Sequence, residues 1–166
     1  MLFDDDAQGA ARREAMELFQ RAYQSQLAHD YEEAIELYQR SIATYPTAEA
    51  HTFLGWVYSF QERYDEAIEQ CREAIRVDES LGNPYNDIGS YLIAQGDIYG
   101  CVRWFQRALR APRYESYAFP HFNLGRVYEM RGRLLEAVKH YGLALEQQPE
   151  FAQAAKALRR LQARLN

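Results

Sequence analysis

The sequence lacks most of what an enzyme, a secreted protein or a membrane protein would show. Only two cysteines, Cys71 and Cys101, occur in 166 residues, too few and too far apart to read as a disulfide framework. Both fall on apolar positions of a helical pattern, where a free thiol behaves as a small buried side chain. No stretch approaches the ~18 uninterrupted apolar residues of a membrane span. Met1 to Asp6 carries three aspartates with neither the basic start nor the apolar core of a secretory signal, so a cytoplasmic protein is expected. The glycines form neither G-x-G-x-x-G nor G-x-x-x-x-G-K-[ST], and C-x2-C, H-E-x-x-H and G-x-S-x-G are also missing. His29, His51, His121 and His140 stand singly and read as packing or surface residues. The expectation is therefore no catalytic residue, no metal and no cofactor. Lysine is scarce as well, 2 against 17 arginines, which reflects base composition, as in a bacterial-type genome, and says nothing about a site.

What is present is apolar residue at 48% of the chain, enough to build a core without staples. The net charge of −5 is unevenly spread: residues 1–83 hold 17 acidic and 7 basic side chains, giving −10, and residues 84–166 hold 7 and 12, giving +5. Solubility accounts for such a surface; steering of partners or head-to-tail stacking of copies are the alternatives. Arg103, Arg107 and Arg110 recur at helical spacing beside Trp104, the one candidate for nucleic-acid contact, but a pI of about 5.4 favours a solvated outer helix face.

A rhythm near 34 residues organises the chain. Small residues Ala22, Gly55, Gly89 and Gly125 are 33, 34 and 36 apart. Tyr58, Tyr91 and Tyr128 follow the last three at short range, and Ala34, Ala67, Cys101 and Ala137 each stand twelve residues beyond the small residues. The pattern predicts antiparallel helices near 9–28, 31–44, 47–60, 64–77, 83–95, 97–110, 119–130 and 133–147, with a ninth after Pro149. Tight turns are expected at Asp30-Tyr31, Arg63-Tyr64-Asp65, Gly96-Asp97 and Gly132-Arg133, where glycine permits a left-handed stop and aspartate caps the next helix. Phe151, Ala154, Ala155, Leu158, Leu161 and Leu165 share a stripe on the last helix, as a terminal cap requires. Between the third and fourth units the spacing grows through residues 111–120, where two prolines bracket two tyrosines; an accident of repeat length and a partner-contact loop both remain open.

Leu54-Gly55-Trp56-Val57-Tyr58 with Ala67, and Asn123-Leu124-Gly125-Arg126-Val127-Tyr128 with Ala137 and Pro149, resemble the tetratricopeptide repeat (TPR) family, whose pattern is W-x2-L-G-x2-Y, A-x3-F and P. The tryptophan place holds Leu18, His51, Tyr85 and His121, and Glu79 replaces one closing proline. The resemblance implies an all-α fold, a right-handed α-α superhelix of about nine antiparallel helices. It would comprise an acidic segment at 1–8, repeats at 9–48, 49–82, 83–117 and 118–149, and a capping helix at 150–166.

The resemblance further implies a concave groove lined by the first helices, here Phe19, Tyr23, Gln26, Thr52, Trp56, Phe60, Asn86, Ser90, Phe122, Asn123, Arg126 and Glu129. Asn123 and Arg126 would fork onto a main-chain carbonyl and an acidic side chain. The basic two-carboxylate clamp of the chaperone-tail-binding members is absent, since Phe19, Tyr23, Phe53, Asn83 and Asp87 occupy its places. The function implied is a non-catalytic scaffold or adaptor holding a protein or peptide segment. Self-association into dimers or filaments and a secretion-type chaperone are the alternatives, and an RNA-binding array ranks below them.

Overall fold

A computed structural model describes the backbone of residues 2–165 and the side chains of residues 6–165. Among the described residues the chain forms nine α-helices and no strand, and none of the helices is long and apolar enough to cross a membrane. The chain divides into two compact units, Met1–Glu79 and Ser80–Asn166.

The first unit holds α1 (Leu2–Leu27), α2 (Tyr31–Thr44), α3 (Ala48–Phe60) and α4 (Tyr64–Val77). Each helix packs on the next, and α1 also touches α3. The second unit holds α5 (Asn83–Ala94), α6 (Val102–Ala108), α7 (Ala118–Met130), α8 (Leu134–Gln147) and α9 (Ala152–Leu165), again with each helix on the next and α5 also on α7. This is the pattern of stacked hairpins, in which an element meets its neighbours and little else. Tyr38, Phe105 and Tyr141 are almost wholly buried on the second helices, each contributing ~1.5–3 kcal/mol of apolar burial.

Close approach of helices explains the small residues. A Cβ added at Gly89 would sit 2.6 Å from Phe105 Cε1, and one at Gly125 2.6 Å from Tyr141 Cδ1. At Gly55 the nearest atom would be the Ala67 carbonyl oxygen at 3.1 Å. Ala22, Ala34, Ala67, Ala74, Ala108, Ala137 and Ala144 are fully buried.

All four hairpins turn in the same way. The residues at the stop, His29, Glu62, Gly96 and Gly132, have φ of 61°, 60°, 86° and 71°. The next residue donates its N–H five residues back, from Asp30 to Ser25, Arg63 to Tyr58, Asp97 to Leu92 and Arg133 to Tyr128, at 2.8–3.0 Å. That is the Schellman arrangement, which satisfies otherwise unpaired carbonyls. Asp30 then accepts from Glu33 N–H at 3.1 Å, the expected cap of α2.

Three places depart from the sequence expectation. The helix α1 starts at Leu2 and runs through the stretch Ala7 to Glu14. The helix α6 starts at Val102 and not at 97: Asp97 Oδ1 accepts from the N–H groups of Tyr99 and Gly100 at 3.2 and 2.7 Å, a local turn that competes with the first helical turn. The connection 111–120 is bound back onto its own unit through a parallel bridge of Leu81 with Arg113. There the Arg113 N–H donates to Ser80 O at 3.0 Å and the Gly82 N–H to Arg113 O at 3.1 Å. Tyr114 is buried against Gly82, where a Cβ would lie 2.3 Å from Tyr114 Cβ. The Tyr117 hydroxyl donates to Ala111 O at 3.2 Å.

Phe151, just before α9, and Ala154, Ala157 and Leu161 on it are buried, with Leu158 half-buried against α8. Leu165, expected on this stripe, is exposed; the seam closes one turn earlier.

Candidate functional site

In the first unit, α1 carries Phe19 and Tyr23 one turn apart, and α3 carries Phe53, Trp56 and Phe60 at helical spacing, so their rings share a face. Phe53 is the hub, with ring centroids 4.4 Å from Trp56, 5.1 Å from Phe19 and 5.7 Å from Tyr23. Phe60 lies 5.7 Å from Tyr31 and is 55% exposed. Beside Phe19 and Phe53 a cleft of about 440 Å³ is lined by Arg12, Ala15, Met16, Ser41, Thr47 and Glu49. With Met16 and Tyr23 also exposed, this is a contiguous apolar surface, a feature that monomeric proteins seldom leave open without use.

Two residues expected on this face are inside. Thr52 is 2% exposed and its hydroxyl donates to the Ala48 carbonyl at 2.7 Å, so it fills the helix pair and lines no surface. Gln26 is buried and accepts from the Tyr38 hydroxyl at 2.9 Å, a bond that satisfies a phenol whose pKa burial pushes well up.

In the second unit, Asn86 and Ser90 on α5 face Asn123 and Arg126 on α7. Asn123 Nδ2 donates to Asn86 Oδ1 at 3.2 Å and to Ser90 Oγ at 3.3 Å. Its Oδ1 accepts from Arg126 Nη1 at 3.3 Å. Asn123 is 7% exposed, so it does not fork onto a ligand with Arg126. It ties α5 to α7 and orients the guanidinium, which keeps most of its five donors.

Below Arg126 a cleft of about 730 Å³ is bordered by Phe122, Glu129, Met130, Leu134, Tyr141, Lys156, Ala157, Arg160 and Arg164. Phe122 packs 4.8 Å from Phe151 and 5.7 Å from Tyr141. The Tyr141 hydroxyl donates to Glu129 Oε2 at 3.0 Å; burial first, and this carboxylate second, raise its pKa. Arg160 Nη2 reaches both Glu129 oxygens at 2.6 and 2.7 Å.

Other candidates resolve into structure. Arg107 stacks on Tyr85 at 4.5 Å and on Trp104 at 5.3 Å, so part of the arginine stripe of α6 is spent on its own rings. His51 Nδ1 lies 2.8 Å from Gln70 Oε1, to which it donates. His121 and His140 do meet, Nδ1 to Nδ1 at 3.2 Å, with Tyr128 stacked on His140 at 5.3 Å; burial and the neighbouring imidazole push His140 down to about 4. Cys71 and Cys101 are buried and free, and burial raises the Cys101 thiol. Among the described residues no group of three or more metal-ligating side chains converges.

Sequence reasoning passed over Phe53 as a surface residue, and Lys156, Arg160 and Arg164 as anything but the polar back of a cap. The signal for the first was its place three residues before Trp56 on the same helix. For the others it was their own i, i+4, i+8 spacing.

TPR models match residues 20–80 and 118–151, together more than half of the chain. No curated protein matches the sequence. Among solved structures, Pseudomonas aeruginosa PilF is similar at TM-score 0.84 and 19% identity, over 95% of this chain and 70% of that one. YrrB, described as a TPR protein with an unusual peptide-binding site, is similar at TM-score 0.69 and 23% identity, over 90% and 76%. The first TPR domain of Spaghetti (RPAP3), bound to an HSP90 peptide, is similar at TM-score 0.65 and 24% identity, over 72% and 93%. These likenesses establish a shared all-α fold.

Proposed function

The chain belongs to the tetratricopeptide repeat family, and we propose that it is a non-catalytic scaffold or adaptor whose first-helix faces hold a peptide or partner-protein segment. The observation that carries this reading is the half-exposed aromatic face of Phe19, Tyr23, Phe53, Trp56 and Phe60. Such rings supply contact area at little entropic cost and dominate partner recognition where they cluster. In the second unit the polar face of Asn86, Ser90 and Arg126 offers hydrogen bonds to a peptide main chain. The peptide-bound RPAP3 domain and the peptide-binding description of YrrB are in keeping with that use of the fold.

Capture of partners from a cell lysate, followed by mass spectrometry, tests it. Trp56→Ala and Arg126→Ala should each abolish capture with helicity and melting temperature near wild type. Tyr99→Ala, at a residue 72% exposed that belongs to neither face, should capture as wild type does. If both face variants retain the same proteins, these faces are not the site.

Self-association is a second reading, favoured by the opposite charges of the two units, −10 for residues 1–79 and +5 for residues 80–166. Light scattering across a salt series decides it: charge-driven assemblies dissolve as salt screens them, and a monomer indifferent to salt removes the idea.

A further inference from the structure

We propose that the cleft bordered by α7 and α9 is the docking site for an acidic segment of a partner protein, a single apolar anchor residue flanked by carboxylates. The assignment rests on the scaffold reading and specifies what one of its faces takes. The cleft joins an apolar floor of Phe122, Leu134 and Ala157 to a rim of four cations, Arg126, Lys156, Arg160 and Arg164, against one carboxylate, Glu129. Its volume of about 730 Å³ falls within the ~300–1,000 Å³ of ligand clefts.

Glu129 neutralises Arg160 and leaves the other three cations of this rim without a carboxylate. Its two oxygens are already held by the Tyr141 hydroxyl and by Arg160, and its side chain is only 20% exposed. It shows what the site does with a carboxylate, pairing it between a phenol and a guanidinium. Arg126 spends one donor on Asn123. Lys156 and Arg164 are exposed and make no ion pair among the described residues.

A capping role alone does not require this charge pattern. A terminal helix needs a polar outer face of either sign, and α9 carries four cations and no acid over Ala152–Leu165. Lys156, Arg160 and Arg164 stand at i, i+4 and i+8, the spacing at which like charges oppose helix formation. An acidic segment laid along that row relieves the repulsion, and its anchor residue covers the apolar floor. Charge complementarity of this kind governs encounter and register.

The test is fluorescence anisotropy of the full chain with a short fluorescein-labelled peptide carrying one phenylalanine flanked by glutamates, beside the same peptide with glutamines. The glutamate peptide should bind, and the glutamine peptide should bind about tenfold more weakly or worse, as several exposed charge pairs are lost together. Lys156→Glu with Arg164→Glu, at exposed positions that leave the fold intact by circular dichroism, should weaken the glutamate peptide by a similar factor. Raising salt from about 0.05 to 0.5 M should do likewise. Trp56→Ala, in the other unit, should change nothing.

Absence of binding, equal binding of the two peptides, or an undiminished double variant would overturn the assignment, as would an oligonucleotide that binds more tightly than the peptide. Loss of the peptide result with Trp56-dependent partner capture intact removes the acidic assignment alone. If Trp56→Ala and Arg126→Ala also leave capture unaltered, the scaffold reading falls with it.

Discussion

The two units solve one packing problem with the same hairpin and then diverge in how they stop, how tightly they close and what they present. In the first unit the left-handed stops are His29 and Glu62; in the second they are Gly96 and Gly132. The first closes around Gly55 with the Ala67 carbonyl as the nearest obstacle, the second around Gly89 and Gly125 with whole aromatic rings against them. The first presents aromatic rings on an acidic body, and the second a hydrogen-bonded network and a cationic cleft on a basic one. Backbone geometry is therefore held in common, while surface chemistry varies freely. That is the property a binding scaffold needs.

The sharpest way to break this comparison is at the close approaches. Gly89→Ala and Gly125→Ala should each destabilise by about 1–3 kcal/mol, because Phe105 and Tyr141 must move. Gly55→Ala should cost clearly less, since alanine regains ~1 kcal/mol of helix propensity against a milder contact. Urea denaturation measures all three; equal losses would show that the two units close alike.

Next in size are the stops. Gly96→Ala and Gly132→Ala place a Cβ at positive φ and should cost about 1–2 kcal/mol. Glu62→Gly runs the other way. It relieves a side chain at φ 60° and should be neutral or raise stability by up to about 1 kcal/mol in thermal melts.

The smallest effect expected is a pH dependence confined to the second unit. His140 faces His121 and Tyr128 across α7 and α8, with Lys139 beside it and Glu146 acting on His121. Its folded pKa of about 4 lies below the ordinary 6.5, so between those values the unfolded chain binds more protons and acid favours unfolding. Stability from the neutral pair should be full above pH 6.5 and fall as pH drops toward 4. Melting between pH 7 and 5 should shift down by roughly a few degrees, and His140→Gln should flatten that slope. An unchanged slope would place the titration elsewhere.

Much of the fold was legible because packing leaves periodic marks. A helix pair that must approach closely needs a small residue at each crossing, so Ala22, Gly55, Gly89 and Gly125 mark the crossings, and six helices, α2–α5, α7 and α8, begin and end within about two residues of where the pattern puts them, while α9 begins after Pro149 as expected. The exceptions come from bonds that no period records. Asp97 takes two N–H groups and delays α6, and the long connection uses its extra length to bridge Leu81 with Arg113.

Less of the candidate site was legible. Helical spacing alone places a residue on a face, and says nothing about whether a neighbour covers it. Thr52 bonds back to its own helix and disappears inside, Asn123 is consumed by Asn86 and Ser90, and Phe53 emerges as the centre of the aromatic face. The cations of α9 look like the outside of a cap until Glu129 is seen to be fully engaged.

Two-dimensional NMR of the full chain, titrated with a partner segment captured from lysate, tests most directly the claim that first-helix faces do the binding. Shifts should concentrate on the Trp56 indole N–H, Phe60, Phe122, Arg126 and the α9 row of Lys156 and Arg164. Perturbations confined to the second helices α2, α4 and α8, with the Trp56 indole and Arg126 unmoved at saturation, would contradict it.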